Sequence, residues 1–382
     1  MPADNESSEL LRAIARQTSD AEEIHRCALK VPDWDLLFEI AQEHRVLPML
    51  FLQLADMGSA VPSAIQERLR VEYERNVFHS LANAAELIAV LKAFEREMIP
   101  VMPFKGVVLG ASVYHVFTTR SAGDIDLLIH YRHLMQSTAL ILARGYELKT
   151  SVRADGMPDG SEGYEFHFER QTDGMVLELC WRLDLTPSRF RRDLDLDWVW
   201  PRRRVAMLAG AEVPNLDSET TLLILCMHGS KSIHIWSRLI WICDVAQLLA
   251  STPDFKWKET IREAKESGLW RALALGVLLA NRITDVEVPR DVIESFESDT
   301  TALKLAQHIQ ENLFVAPGST PTGRVPYNVQ LLDFRDRVRL FFSFNFLRPN
   351  DRDRAVLSLP KRLHALYYLI RPFRILRDRS AR

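Results

Sequence analysis

Cysteine is scarce in this 382-residue chain. Cys27, Cys180, Cys226 and Cys243 are scattered singly in apolar surroundings, so the sequence offers no paired spacing for a disulfide framework, and reduced, mostly buried thiols are expected. Long apolar runs are missing too. The longest is about that of "LALGVLLA" at 273–280, far short of the roughly 20 residues a membrane span needs, so no transmembrane segment is expected. The first 20 residues are polar and acidic without an apolar core, which predicts no secretory signal and fits a cytoplasmic location. A formal net charge of −3 gives no overall bias toward nucleic acid. Glycine and proline are few, at 15 and 18, and no internal repeat is visible. With 47% hydrophobic and 26% charged residues, what remains is globular usage, long enough for two or three units with buried cores.

Hydrophobic spacing divides the chain. Residues 1–98 read as a helical region, ending in a long segment from Pro62 whose Leu69, Tyr73, Val77, Leu81, Ala84, Leu87, Leu91 and Phe94 recur at helical intervals. The period changes at "IPVMPFKG", a short strand leading into a turn. An α/β core follows over 99–215: "VVLGASVYHVF" as helix, "DIDLLIHY" as strand, and "LMQSTALILARG" as helix closed by Gly145. "YEFHFERQ" and "MVLELCWRL" read as a hairpin turning at Asp173 and Gly174. Residues 151–163, rich in Gly, Asp, Ser and Pro, read as a mobile loop. A helical domain over 216–330 opens at Ser218 as N-cap, and 331–382 forms a basic tail segment. The fold class expected is α+β, a mixed sheet with helices, flanked by helical regions on both sides.

The chemistry is concentrated in "RSAGDIDLLIHY". Alternate strand side chains share a face, so Asp124 and Asp126 project together while Ile125 and Leu127 enter the opposite layer. Two carboxylates so placed repel unless something positive lies between them, and hard oxygen donors favour Mg²⁺, which keeps waters and completes its shell with substrate phosphates. The ordinary alternative is a solvated strand end. Glu178, between hydrophobic neighbours in "LELCW", is either an edge-strand surface residue or the third member of a carboxylate cluster. Three acids around two cations would suit in-line phosphoryl or nucleotidyl transfer.

The run "PFKGVVLGASVYHVFTTRSAGDIDLLI", followed by "LELCWRL" and "LLILCMHGSKSIHIWSRLIWICDVAQLL", resembles a bacterial nucleotidyltransferase family of the DNA polymerase beta superfamily. The resemblance covers roughly residues 80–250. It implies that Asp124, Asp126 and Glu178 are metal-binding and catalytic, with two Mg²⁺ ions and an NTP as substrate. Lys105 and Gly106 stand where the superfamily has a Gly-Ser pair that receives the triphosphate, and Arg120 is placed to contact a phosphate. His228 and Lys231, three apart and on one face if their helix is unbroken, join Asp244 as secondary cleft candidates. Each has a plainer alternative: a solvated turn for Lys105, a salt bridge for Arg120, and a core histidine bonded to Asp244 for His228. Cys180-Trp181 departs from the His-Trp of most relatives.

The resemblance implies transfer of a nucleoside monophosphate to an unknown acceptor, a small molecule, sugar or peptide. A catalytically silent nucleotide-binding or scaffold protein and a toxin-like tRNA nucleotidyltransferase are the alternatives. The tail, with thirteen Lys/Arg against four Asp over 335–382, invites a peripheral membrane or nucleic-acid contact, but packing of its apolar face on the protein is the preferred reading.

Overall fold

A computed structural model of the chain describes residues 4–114, 116–121, 123–152, 164–183, 194–314, 327–332, 337 and 366. Nearly all of these belong to a unit that ends at Leu331. Most of the expected mobile loop and of the basic tail lies outside the described residues.

Aspartates open the first helices. Asp4, Asp20 and Asp33 accept N–H groups of the following turn and so start α1 (Asn5–Ala15), α2 (Ala21–Ala28) and α3 (Trp34–Glu43). The helical pattern continuing through "EHRVLPMLF" is broken at Arg45, whose φ of 56° is left-handed, and resumes in α4 (Leu47–Leu54) with Pro48 in its first turn. The long periodic segment is α5 (Ser63–Arg96).

Four of the five sheet strands fall in the expected places, and the short one at 147–148 was not expected. They are β1 (Val101–Pro103), β2 (Asp124–Ile129), β3 (Glu147–Leu148), β4 (Glu165–Arg170) and β5 (Met175–Cys180), with α6 (Gly106–Val113) and α7 (Leu134–Ala143) between them. Their order is β1-β2-β5-β4-β3, and only the β2–β5 pair is parallel. The β4–β5 turn uses the predicted residues: Asp173 accepts the Met175 N–H at 3.2 Å and Gly174 has φ 70°. One sheet face carries Ile125, Leu127, Ile129, Phe166, Phe168, Leu177 and Leu179, which pack with Ala84, Leu87, Val90 and Phe94 of α5 in one core. A short helix, α8 (Leu196–Val199), and a second hairpin, β6 (Arg203–Leu208) with β7 (Ala211–Leu216), complete this α+β portion.

Helices dominate again in α9 (Ser218–Gly229), α10 (Leu239–Ala250), α11 (Trp257–Ser267), α12 (Trp270–Thr284), α13 (Arg290–Glu297), α14 (Thr300–Asn312) and α15 (Tyr327–Leu331). The N-cap of α9 is Asp217, which accepts the Thr220 N–H at 2.9 Å, so Ser218 is the first helical residue rather than the cap. The continuous helix expected through "CMHGSKSIHIWSRL" is also corrected. It stops at Gly229 and restarts at Leu239 because Trp236, fully buried, folds back under the turn with Ile235 and Trp236 both at positive φ. Two glycines make room: a Cβ at Gly229 would meet the indole at 2.7 Å, and one at Gly276 on α12 would meet it at 2.8 Å. Leu10, Leu37 and Leu50 share a second core with Leu222, Ile242 and Leu273, so the first and last helices are packed together.

Among the described residues one helix, α5, is long and apolar enough to cross a membrane by length and composition. Its Glu86 is buried and paired with Arg144 at 2.8 Å and Arg170 at 3.1 Å.

His44 joins the two helical groups. At 4% exposure, its Nδ1 accepts the Leu239 N–H at 3.0 Å and its carbonyl accepts the Ile240 N–H at 3.3 Å, capping α10 from outside. Acceptance at Nδ1 requires the neutral ring. Burial, aided by the nearby Arg238 charge, holds His44 down at about 4. An unfolded histidine takes a proton at about 6.5, so this contribution to stability is present above that pH and declines as pH falls toward 4. Urea titrations of wild type from pH 7 to pH 4 should lose about 3 kcal/mol more than those of His44→Gln; parallel curves would contradict the assignment.

Candidate active site

Parallel pairing of β2 with β5 sets Asp124 opposite Val176 and Asp126 opposite Glu178. Strands lie about 4.8 Å apart, so the Asp126 and Glu178 carboxylates are neighbours on the face away from the sheet core. On β4, His167 is opposite Glu178 and Glu165 opposite Cys180. The polar side chains of three strands thus share one face. They line a cleft of about 320 Å³ together with Lys105, Gly106, Arg120, His228 and Lys231.

The turn after β1 brings Lys105 to the acids. Lys105 has φ 64° and ψ −148°, a region glycine favours. Such strain costs roughly 1–3 kcal/mol and is held by its surroundings. Gly106 follows at φ 51°, where a Cβ would lie 3.1 Å from the Asp124 carbonyl. The result is a lysine ammonium 2.8 Å from Asp126 Oδ1 and 3.4 Å from His228 Nδ1. Burial works against the charged lysine, but Asp126, Asp124 and Glu178 outweigh it and keep the ammonium protonated. Burial pushes Asp126 up, with Asp124 and Glu178 adding to the effect. Burial also opposes ionisation of Glu178, but the His167 bond and the Lys105 charge outweigh it and hold that acid down.

His167 and Glu165 were missed in the sequence. The imidazole reaches Glu165 Oε1 and Glu178 Oε1, each at 3.2 Å, and bonds to these acids raise it to about 10. It is therefore imidazolium at neutral pH and donates to both. The alternation in "YEFHFER" puts Glu165 and His167 on one face, but only the β4–β5 register reveals that this face meets Glu178.

Arg120 is turned away from solvent. Its guanidinium donates to Asp244 through Nε at 2.9 Å and Nη2 at 3.0 Å, and its Nη1 donates to the Gly106 carbonyl at 3.3 Å. The Tyr114 hydroxyl donates to the same carboxylate at 2.9 Å. Asp244, fully buried, is thus behind the cleft and bonded to Arg120 and Tyr114 rather than to His228. His228 and Lys231 line the cleft at the broken end of α9 instead of on a continuous helical face. Burial, with the Lys105 charge second, keeps His228 neutral, and its ring lies 4.2 Å from His234 and 5.5 Å from Trp241.

Among the described residues, no three His, Cys, Asp or Glu side chains form a ready metal-ligand shell. Magnesium does not demand one, since it is held by one or two carboxylates with waters and substrate phosphates. The donor set fits that mode: all-oxygen and anionic, with Asp126 Oδ1 buried and in ionic contact with Lys105 but without an aligned hydrogen bond. Asp124, Asp126 and Glu178 are the residues that could hold it.

Removing one partner of the buried pair should unfold this wall. Asp244→Ala leaves a buried guanidinium and a tyrosine hydroxyl without an acceptor and should lower stability by about 3–5 kcal/mol in urea denaturation. The double change Arg120→Met with Asp244→Leu should recover much of it. Equal losses in both would argue against charge imbalance as the cause.

Residues 30–285 match a family described as uncharacterised nucleotidyltransferase. None of the curated proteins matches the chain. Among solved structures, lincomycin-bound lincosamide antibiotic adenylyltransferase LnuA is similar at a TM-score of 0.31 and 14% identity, covering 44% of this chain and 97% of that one. The antibiotic-resistance factor ANT(2'')-Ia in solution is similar at 0.30 and 15%, covering 60% and 98% respectively. With more than half of its length matched, including every element of the cleft, this chain belongs to the family of uncharacterised nucleotidyltransferases.

Proposed function

We propose that the protein is a Mg²⁺-dependent nucleotidyltransferase that moves a nucleoside monophosphate from an NTP to an acceptor hydroxyl. The observation that carries this is the convergence of Asp124, Asp126 and Glu178 on one face of adjacent strands, in a cleft whose other wall is cationic. In the reaction the acceptor oxygen attacks the α-phosphorus, the bond to the bridging oxygen of the β-phosphate breaks, and pyrophosphate leaves. Magnesium held by the three acids would supply charge neutralisation at the attacking and leaving oxygens.

The chain's own groups have separate tasks. One of the three carboxylates would lie close enough to help deprotonate the acceptor hydroxyl. His167 orients Glu178 from the neighbouring strand. With a divalent cation held by the acids, the Lys105 ammonium would be free to pair with a phosphate oxygen in place of Asp126. Trp241 and the neutral His228 and His234 give the cleft an aromatic side suited to a nucleobase.

The Lys105–Asp126 contact also supports a second reading, a nucleotide-binding protein without transfer, in which the ammonium permanently takes the place of the cation. Two measurements separate them. Asp124→Asn and Asp126→Asn should each reduce Mg²⁺-dependent NTP affinity by on the order of 100-fold in calorimetry, with the fold retained, since breaking a charged contact costs about 1.5–3 kcal/mol. Unchanged affinity in both would sink the metal assignment. α-Labelled NTP incubated with cell extract should yield a labelled acceptor with wild type only; binding without labelling would favour the silent protein.

A further inference from the structure

The two cations that the sequence pattern offers for phosphate binding are already engaged. Arg120 is 8% exposed and spends its donors on Asp244 and the Gly106 carbonyl, while Lys105 is in contact with Asp126. The lining of the cleft also includes Arg182, just past β5, and three cations from outside the sheet. Arg45, Lys231 and Arg238 are half-buried in its lining, and among the described residues none of them forms an ion pair with a carboxylate. They come from outside the sheet: Arg45 from the turn between α3 and α4, Lys231 and Arg238 from the segment between α9 and α10.

We propose that Arg45 and Arg238, assisted by Lys231, clamp the polyphosphate of the nucleotide substrate, a subsite that presupposes the nucleotidyl transfer proposed above.

Geometry puts the clamp beside the acids. The Arg45 Nη1 stands 3.8 Å from where a Cβ on Gly123 would be, one residue before Asp124. That is an ordinary contact distance, so the guanidinium lies against the turn that leads into β2. Arg238 is laid over the Trp241 ring, 5.3 Å from its centroid, which presents its planar donors to the cleft while leaving them unspent. Arginine forks match phosphate oxygens two at a time, which suits a linear polyanion better than a single carboxylate.

The folding of this corner also keeps two like charges close. Arg45 is in left-handed backbone, fixed by the Val46 N–H bonding the Ala41 carbonyl at 2.9 Å. Next to it, His44 fastens the turn to Leu239 and Ile240, the residues that follow Arg238. Burial and the Arg45 charge both weaken the hold of Arg238 on its proton. Glu43 and Asp124 oppose that only at a distance, so an anion between the two guanidiniums would relieve repulsion built into the fold.

Inorganic tripolyphosphate, which has no base, sugar or acceptor preference, isolates this subsite. Calorimetry with metal-free protein should show binding to wild type, a loss of roughly 10-fold or more in Arg45→Ala and in Arg238→Ala, and partial retention in Arg45→Lys and Arg238→Lys. Asp124→Asn, which removes a neighbouring negative charge, should bind as well as wild type or better. No binding by wild type, or alanine variants within twofold of it, would overturn the clamp. If those same proteins still label an acceptor from α-labelled NTP, the transferase reading stands without it. If tripolyphosphate binds through the two arginines but no NTP is ever turned over, the clamp stands and the transferase reading falls.

Discussion

Repulsion among Asp124, Asp126 and Glu178 is the constraint around which the cleft is organised. The sheet has no choice about their proximity: its other face is filled with Ile125, Leu127, Leu177 and Leu179, and a one-residue slip of either strand would put carboxylates into that core. Three acids on one face of adjacent strands must then be neutralised from above. Lys105 and His167 share that task in the metal-free chain. Lys105 does so in a backbone conformation disfavoured for any residue but glycine. In the proposed function a divalent cation would meet the same demand.

The cations around the acids fall into two sets. Lys105 and Arg120 belong to the framework, with Arg120 joining the turn before β2 to the middle of α10 through Asp244. Arg45 and Arg238 belong to the rim, held in place by His44 and Trp241 but without carboxylate partners among the described residues. A site that brings an anionic substrate to anionic residues needs both kinds. The framework set offsets the charge of the acids, and in the proposed clamp the rim set would draw a polyphosphate toward them.

Much of the fold could be read from local patterns. The strands at 101–103, 124–129, 165–170 and 175–180, their hairpin, and the long α5 follow from period and turn chemistry, and strand alternation was enough to set Asp124 and Asp126 on one face. What escaped depends on partners far apart in sequence. The Arg120–Asp244 pair spans 124 positions, so an arginine whose neighbours suggest phosphate binding is spoken for by a residue no local window contains. The break after Gly229 is invisible for the same reason, because the space for Trp236 is made by Gly276 on another helix. His167 gained its meaning from register, and Arg45 from a histidine that caps a helix nearly 200 residues later.

The central claim is that the three acids receive a divalent cation together with a nucleotide. A crystal structure with Mn²⁺ and a non-hydrolysable NTP tests it most directly, since anomalous scattering locates the ion without reference to any expected geometry. The account predicts manganese within ligand distance of Asp124 and Asp126, Glu178 nearby, and the Lys105 ammonium moved from Asp126 onto a phosphate oxygen. Nucleotide bound elsewhere, or an unchanged Lys105–Asp126 contact with no manganese among the acids, would contradict it.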